Sequence, residues 1–178
     1  EPPNDEMQKE DCLNPYSVSK VSGEKVCKMY SDLFGLETII FRYFNVYGMR
    51  APTKGQYMPV VGRFLEQKRK GLPLTIVPDG EQRRDYVHVS DVVEANVIAS
   101  NVELDEYGLI INIGTGTNHS VNEIASLISD ETILLEPREG EAKVTLADIN
   151  KAKRVLGWEP QIKLTQWVST QIEIGATL

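Results

Sequence analysis

The sequence predicts an α/β protein, and two observations carry that prediction. Stretches with helical periodicity alternate along the chain with short apolar runs of strand length. The run at residues 37–48 is continuously apolar in character, as in a strand of a parallel sheet covered on both faces. No internal repeat and no low-complexity linker breaks the alternation.

Residues 1–13 are polar and acidic, contain Pro2 and Pro3, and predict a loop or frayed arm. Asn14 then offers an N-cap, and Pro15 suits the first helical position because its missing N–H has no partner there anyway. Val18, Val21, Val26, Tyr30 and Leu33 extend the helix, and Gly35 stops it. The strand at 37–48 follows, then a loop over 49–58 containing Pro52 and Gly55. Pro59 opens a helix with Val60, Val61, Phe64 and Leu65, closed by Lys68-Arg69-Lys70 and Gly71.

Residues 74–77 predict a short strand, 78–80 a turn and 86–89 a second strand, with Ser90 capping a helix to about residue 100. Residues 109–113 form a buried strand ahead of Gly114-Thr115-Gly116. Ser120 and Glu123 make a capping box for the next helix. Residues 133–136 predict a strand, Asp148 caps a helix ending before Gly157, and Thr165 starts the last helix.

Hydrophobic residues make up 41% and charged residues 25%, as in an ordinary globular protein. A net charge of −7 argues against general binding to nucleic acid or to an anionic membrane. No apolar run reaches the length of a membrane span, and no signal-peptide pattern is present. Cys12 and Cys27, with two histidines and no Cys-x-x-Cys, predict no metal site; reduced thiols point to the cytoplasm. The start at Glu1 rather than methionine predicts a processed or partial sequence.

Tyr16 and Lys20 stand at i and i+4 on the first predicted helix, stacked one turn apart. A free phenol titrates near pH ~10, and a neighbouring ammonium stabilises the phenolate, so the pair suits general-base work. The same spacing also serves two side chains on a solvated face. Ser17, Ser19, Ser22 and Gly23 are small enough to let something large lie close. Arg84 and Arg138, in loops at strand ends, suit bidentate capture of a diphosphate, or equally the screened ion pairs of surface arginines. Gly114-Thr115-Gly116 lacks the third glycine and the acidic partner of a dinucleotide fingerprint, and predicts a tight crossing instead. His88 reads as structural.

Six segments occur in a telling order. They are Asn-Pro-Tyr-Ser-Val-Ser-Lys, Phe-Arg-Tyr-Phe-Asn-Val-Tyr-Gly, Gln-Arg-Arg-Asp-Tyr-Val-His-Val-Ser-Asp-Val, Asn-Ile-Gly-Thr-Gly, Pro-Arg-Glu-Gly-Glu and Ala-Asp-Ile-Asn-Lys-Ala-Lys-Arg-Val-Leu-Gly-Trp. Over nearly residues 12–170 the series resembles the C-terminal half of the extended short-chain dehydrogenase/reductase family. Within it the resemblance is to nucleotide-sugar epimerases and dehydratases, above all UDP-hexose 4-epimerases.

The resemblance implies part of a Rossmann-type doubly wound fold plus a small α/β substrate-binding lobe, with the N-terminal dinucleotide-binding half absent. Residues 14–48 are then the catalytic helix and a remnant of the Rossmann sheet. Residues 49–178 are mostly the substrate-binding lobe, with 109–113 returning to the sheet. Tyr16 becomes the catalytic base, and Lys20 a ligand of the nicotinamide ribose that tunes it. Tyr43 and Phe44 lie near the nicotinamide of NAD, Asn45 contacts the sugar diphosphate, and Gln56 and Tyr57 approach the substrate. Thr75 and Val77 flank the base, while Arg84 and Arg138 hold the pyrophosphate of a UDP-sugar. The implied reaction is transient oxidation at the sugar C4. A 4,6-dehydratase or decarboxylase on the same scaffold, or a non-catalytic module that binds nucleotide sugar or dimerises, are the alternatives.

The chain departs from the family pattern at Pro78, where glycine is common, which leaves base identity open. It also has only fifteen residues before Tyr16. By family comparison the glycine-rich strand–loop–helix and the Ser or Thr of the triad lie upstream, on the order of 130 residues of chain. The strand at 37–44 should therefore carry an open edge and an uncovered apolar face, and the chain should be marginal alone or self-associate through this surface. The resemblance also implies a homodimer, since in the family the Tyr16 helix packs in a dimeric helix bundle. A compact, stable monomer in light scattering contradicts the expectation. Calorimetry on these residues alone should find no tight NAD binding, and a micromolar dissociation constant contradicts that.

Overall fold

An interruption in the strand predicted at 37–48 shapes the whole architecture. The computed structural model describes residues 1–52, 58–136 and 142–176. In chain order the elements are α1 (Pro15–Phe34), β1 (Ile39–Tyr43), β2 (Asn45–Tyr47), α2 (Val60–Arg69), β3 (Leu74–Ile76), β4 (Arg83–His88), α3 (Val89–Ala99), β5 (Leu109–Ile113), β6 (Asn118–Ser120), α4 (Val121–Ile128), β7 (Thr132–Leu134), α5 (Asn150–Leu156) and α6 (Leu164–Ala176).

Only Phe44 separates β1 from β2, yet the two strands belong to different sheets. β1 pairs in parallel with β5, from Ile39 opposite Leu109 to Tyr43 opposite Ile113. β2 pairs in parallel with β4, and β4 pairs antiparallel with β6. β3 and β7 form a third, parallel pair. Among the described residues β1 has β5 as its one strand neighbour, so its other edge carries no strand. The expectation of a strand buried on both faces gives way here: β1 is only partly buried, because a two-stranded sheet covers little of it.

Two cores support these sheets. Tyr47, Phe64, Leu74, Ile124 and Val168 join α2, α4 and α6 around β3. Val87, Ala95, Ile111, Ile113, Ala152 and Trp158 join α3 and α5 to β5. Buried Asp91 couples the two by accepting from the N–H groups of Gln161 and Ile162, while its carbonyl accepts from the Trp158 indole.

Asn14 caps α1 as expected, with Ser17 completing a capping box, and Gly35 ends the helix at φ +66°. The apolar stripe does not behave as a core stripe, however. No residue of α1 is buried, and Val18, Val26, Tyr30 and Leu33 remain exposed. Polar contacts hold the helix instead. Arg42 on β1 donates to both carboxylate oxygens of Glu24, at 2.7 and 2.6 Å, and the hydroxyls of Ser31 and Thr38 lie 2.6 Å apart. A Cβ on Gly23 would meet open space.

Other local readings shift for identifiable reasons. The cap of α3 is His88 rather than Ser90, because the helix starts at Val89 and the His88 Nδ1 accepts from the Ser90 N–H. Ile149, not Asp148, occupies the cap position of α5, although the Asp148 carboxylate still accepts from the Asn150 N–H. β4 begins at Arg83, ahead of the predicted residue 86, because Arg83 to Asp85 pair with β6. The N-terminal arm is tied down rather than frayed: Asn4 exchanges backbone bonds with Leu146 and Asp148, and Glu6 accepts from the Asn112 N–H. Among the described residues no helix is long and apolar enough to cross a membrane.

Replacing Glu24 by alanine leaves the Arg42 guanidinium partly buried without its partner. That change should cost about 2 kcal/mol, between the values for exposed and buried pairs. Hydrogen exchange should accelerate across α1 more than across α4. Unchanged stability with unchanged exchange in α1 would mean that other contacts hold the helix.

Candidate active site

The C-terminal end of β1 and the first turns of α1 face one another across a cavity of about 550 Å³. Tyr16, Tyr43, Phe44 and Asn45 line it, together with Arg42 and residues of the arm. Lys20 does not line this cavity. Its ammonium lies over the Tyr16 ring, 5.2 Å from the centroid, so the phenol and the amine do share one helical ridge. The Tyr43 hydroxyl donates to the Asn96 side chain at 3.0 Å, and the Phe44 N–H donates to the Ile113 carbonyl, which fixes the strand end.

A second cavity, of about 410 Å³, opens between β4, the strand end at Thr75–Val77 and the start of α2. Asn45, Thr75, Val77 and Arg84 all line it, so Asn45 is a wall common to both cavities. Gln67 holds Thr75 from α2, donating to its hydroxyl at 3.0 Å and accepting from its N–H at 3.2 Å. Gln56, Tyr57 and Arg138 lie outside the described residues.

Arg83 and Arg84 are adjacent, and their surroundings separate them. Arg83 is fully engaged: it pairs with both carboxylate oxygens of Glu123 and donates to the side chain and carbonyl of Asn118. Glu123 accordingly holds the guanidinium above its ordinary pKa, and Arg83 holds the Glu123 carboxyl below its own. Arg84 faces the cavity and donates to the carbonyls of Arg83 and Lys143.

Gly114-Thr115-Gly116 wraps the protein's own carboxylate. Fully buried Asp85 accepts from the Thr115 N–H at 2.8 Å, the Thr115 hydroxyl at 2.7 Å, the Gly116 N–H at 2.9 Å and the Ala147 N–H at 3.1 Å. A Cβ on Gly114 would lie 2.5 Å from that of Ala147. The amides of this turn are therefore occupied, and the segment is a tight crossing.

With this geometry in place, comparison with known proteins is decisive. A family model for the NAD dependent epimerase/dehydratase family matches residues 1–114. The chain belongs to that family. A putative UDP-glucose 4-epimerase of Methanocaldococcus jannaschii is 41% identical over 172 residues, covering 93% of this chain and 54% of that protein. Among solved structures, UDP-glucose 4-epimerase of Thermotoga maritima with UDP-glucose matches with a TM-score of 0.83 at 34% identity, over 92% of this chain and 53% of the other. UDP-glucuronic acid 4-epimerase of Bacillus cereus, in complex with UDP-glucuronic acid and NAD, matches with a TM-score of 0.87 at 31% identity, over 98% of this chain and 56% of the other. The chain thus spans about half the length of the relatives it matches.

The cofactor in the family's name can be tested against these residues. The aromatic wall of Tyr43 and Phe44 beside Tyr16, at the C-terminal end of a parallel strand, fits a nicotinamide. Among the described residues the one Gly-x-Gly strand–turn is filled by Asp85, so it offers no cradle for the pyrophosphate.

Sequence reasoning passed over several residues of these two cavities. Asp85 positions the turn, and its carbonyl accepts from the Asn45 amide at 3.2 Å. Gln82, Tyr86 and Arg63 also line the second cavity, and no donor among the described residues reaches the buried Gln82 Oε1. The signal for Asp85 was a lone acid in an otherwise apolar and basic strand; Arg63 gave none beyond its charge.

His88 is buried between Tyr47 and Trp167, with ring centroids 5.1 and 5.6 Å away. Burial pushes its pKa below the ordinary 6.5, with Asp91 opposing more weakly. The unfolded chain then takes up this proton first as pH falls. The neutral imidazole's contribution to stability is whole above about pH 6.5 and is lost as pH drops towards the lower folded value. His88→Gln should therefore lose less melting temperature than the wild type between pH 7.5 and 5.5. Equal losses would show that His88 does not titrate with unfolding.

Proposed function

We propose that this chain is the catalytic and substrate-binding portion of an NAD-dependent nucleotide-sugar 4-epimerase acting on a UDP-hexose. The observation that carries the reading is the position of Asn45, in the wall of one cavity with Tyr16 and of another with Arg84. A nucleotide sugar held by Arg84 at its diphosphate then presents its hexose past Asn45 to the Tyr16 hydroxyl. The Asn45 amide spends one N–H on the Asp85 carbonyl and keeps its oxygen for a sugar hydroxyl.

Tyr16 takes the proton of the C4 hydroxyl, and Lys20, whose ammonium lies over the Tyr16 ring, would bind the nicotinamide ribose. Tyr43 and Phe44 form the wall against which the nicotinamide packs. NAD held against that wall would supply hydride-transfer chemistry at the sugar C4. Thr75 and Val77 flank the base, and Gln56, Tyr57 and Arg138 complete the substrate contacts. Residues 14–48 form the catalytic segment and 49–178 mostly the substrate-binding lobe, with 109–113 in the catalytic sheet. The exposed apolar residues of α1, including Val26, Met29, Tyr30 and Leu33, support a homodimer. The free thiols Cys12 and Cys27 support a cytoplasmic location.

The test joins this chain to the part of the M. jannaschii relative that it does not cover and follows UDP-glucose to UDP-galactose conversion. Tyr16→Phe should lower kcat by about 10²–10⁴-fold while leaving UDP binding unchanged. Conversion at the wild-type rate would exclude Tyr16 as the base. Unchanged UDP binding by an Arg84→Ala variant would separate the second cavity from the nucleotide.

A further inference from the structure

Arg63 stands on the second turn of α2, where its N–H donates to the Pro59 carbonyl at 3.0 Å, and it lines the 410 Å³ cavity. The residue is half-buried, and its guanidinium makes no hydrogen bond or ion pair with any described residue. Arg42, Arg69 and Arg83 differ, each meeting a carboxylate. The nearest acid along the helix, Glu66, is already engaged by Arg69 and Lys70. No Asp or Glu lines the cavity among the described residues, although the protein as a whole carries a net charge of −7. A partly desolvated guanidinium with no counter-charge among the described residues, as at Arg63, is unfavourable, and an anion in the cavity relieves that cost.

We propose that Arg63 is a phosphoryl-binding residue of this cavity, reaching the nucleotide's diphosphate from the helix wall while Arg84 reaches it from the strand wall. The inference rests on reading the cavity as the nucleotide site. A guanidinium fork donates two parallel hydrogen bonds to a phosphoryl group, which a lysine ammonium does not reproduce. Arg63 thereby makes the site prefer a nucleoside diphosphate over the nucleoside and sets how much of the affinity comes from phosphate.

Calorimetric titration of the full 178-residue chain with uridine, UMP and UDP tests this. The variants are Arg63→Ala, Arg63→Lys and Arg84→Ala, with circular dichroism reporting folding. Arg63→Ala should weaken UDP at least about tenfold and leave uridine unchanged, and Arg63→Lys should recover only part of the loss. UDP affinity within twofold of wild type in Arg63→Ala, with Arg84→Ala impaired, overturns the inference and leaves the reading of the cavity standing. Equal weakening of uridine and UDP by Arg63→Ala also overturns it, since that marks a structural effect. A wild-type chain that binds UDP no better than uridine removes the nucleotide reading and the inference with it.

Discussion

Much of this molecule depends on one buried carboxylate. Asp85 has no counter-ion in contact among the described residues and is held by three backbone N–H groups and a hydroxyl, donated by the turn after β5 and the strand-like segment at Ala147. Each of these donors is buried or partly buried, so a change that removed the carboxylate would strand several unpaired N–H groups at once. The glycines of the turn exist for this approach: Gly114 has no room for a Cβ against Ala147. Through its carbonyl the same residue holds Asn45. A strictly structural contact thus fixes the one side chain among the described residues that borders both cavities.

The split of one apolar run into β1 and β2 has the same consequence at the level of the sheet. β1 follows β5 and delivers Tyr43 and Phe44 towards Tyr16, whereas β2 follows β4 and turns towards the α2–α4–α6 core. Phe44 is the pivot. Asn45, directly after it, lies where the two sheets part, at the strand ends where parallel sheets offer a crevice to ligands. The site is therefore a product of topology, with chemistry contributed by residues far apart in sequence.

Local signals were legible and non-local ones were not. Asn14-Pro15 and Gly35 delimit α1 because capping depends on a few neighbouring residues. Phe44 is an apolar residue in an apolar run, so nothing in its chemistry marks the break; the break arises because β1 pairs with β5 and β2 with β4. The stripe Val18–Val26–Tyr30–Leu33 reads as core but is exposed, because periodicity shows that a face is apolar and not what covers it. For the site, ordered segments pointed to Tyr16, Asn45 and Arg84, and the structure places all three around two adjoining cavities. Residue type could not separate Arg83 from Arg84. Glu123, forty positions away, pairs with the first, while the second lines the cavity.

The central claim is that the two cavities form one continuous site with Asn45 at their junction. The most direct test is a crystal structure of this chain with UDP-glucose. The account predicts the diphosphate beside Arg84, the hexose passing Asn45 and its C4 hydroxyl against the Tyr16 phenol. A nucleotide seated elsewhere, or a hexose directed away from Tyr16, would contradict it.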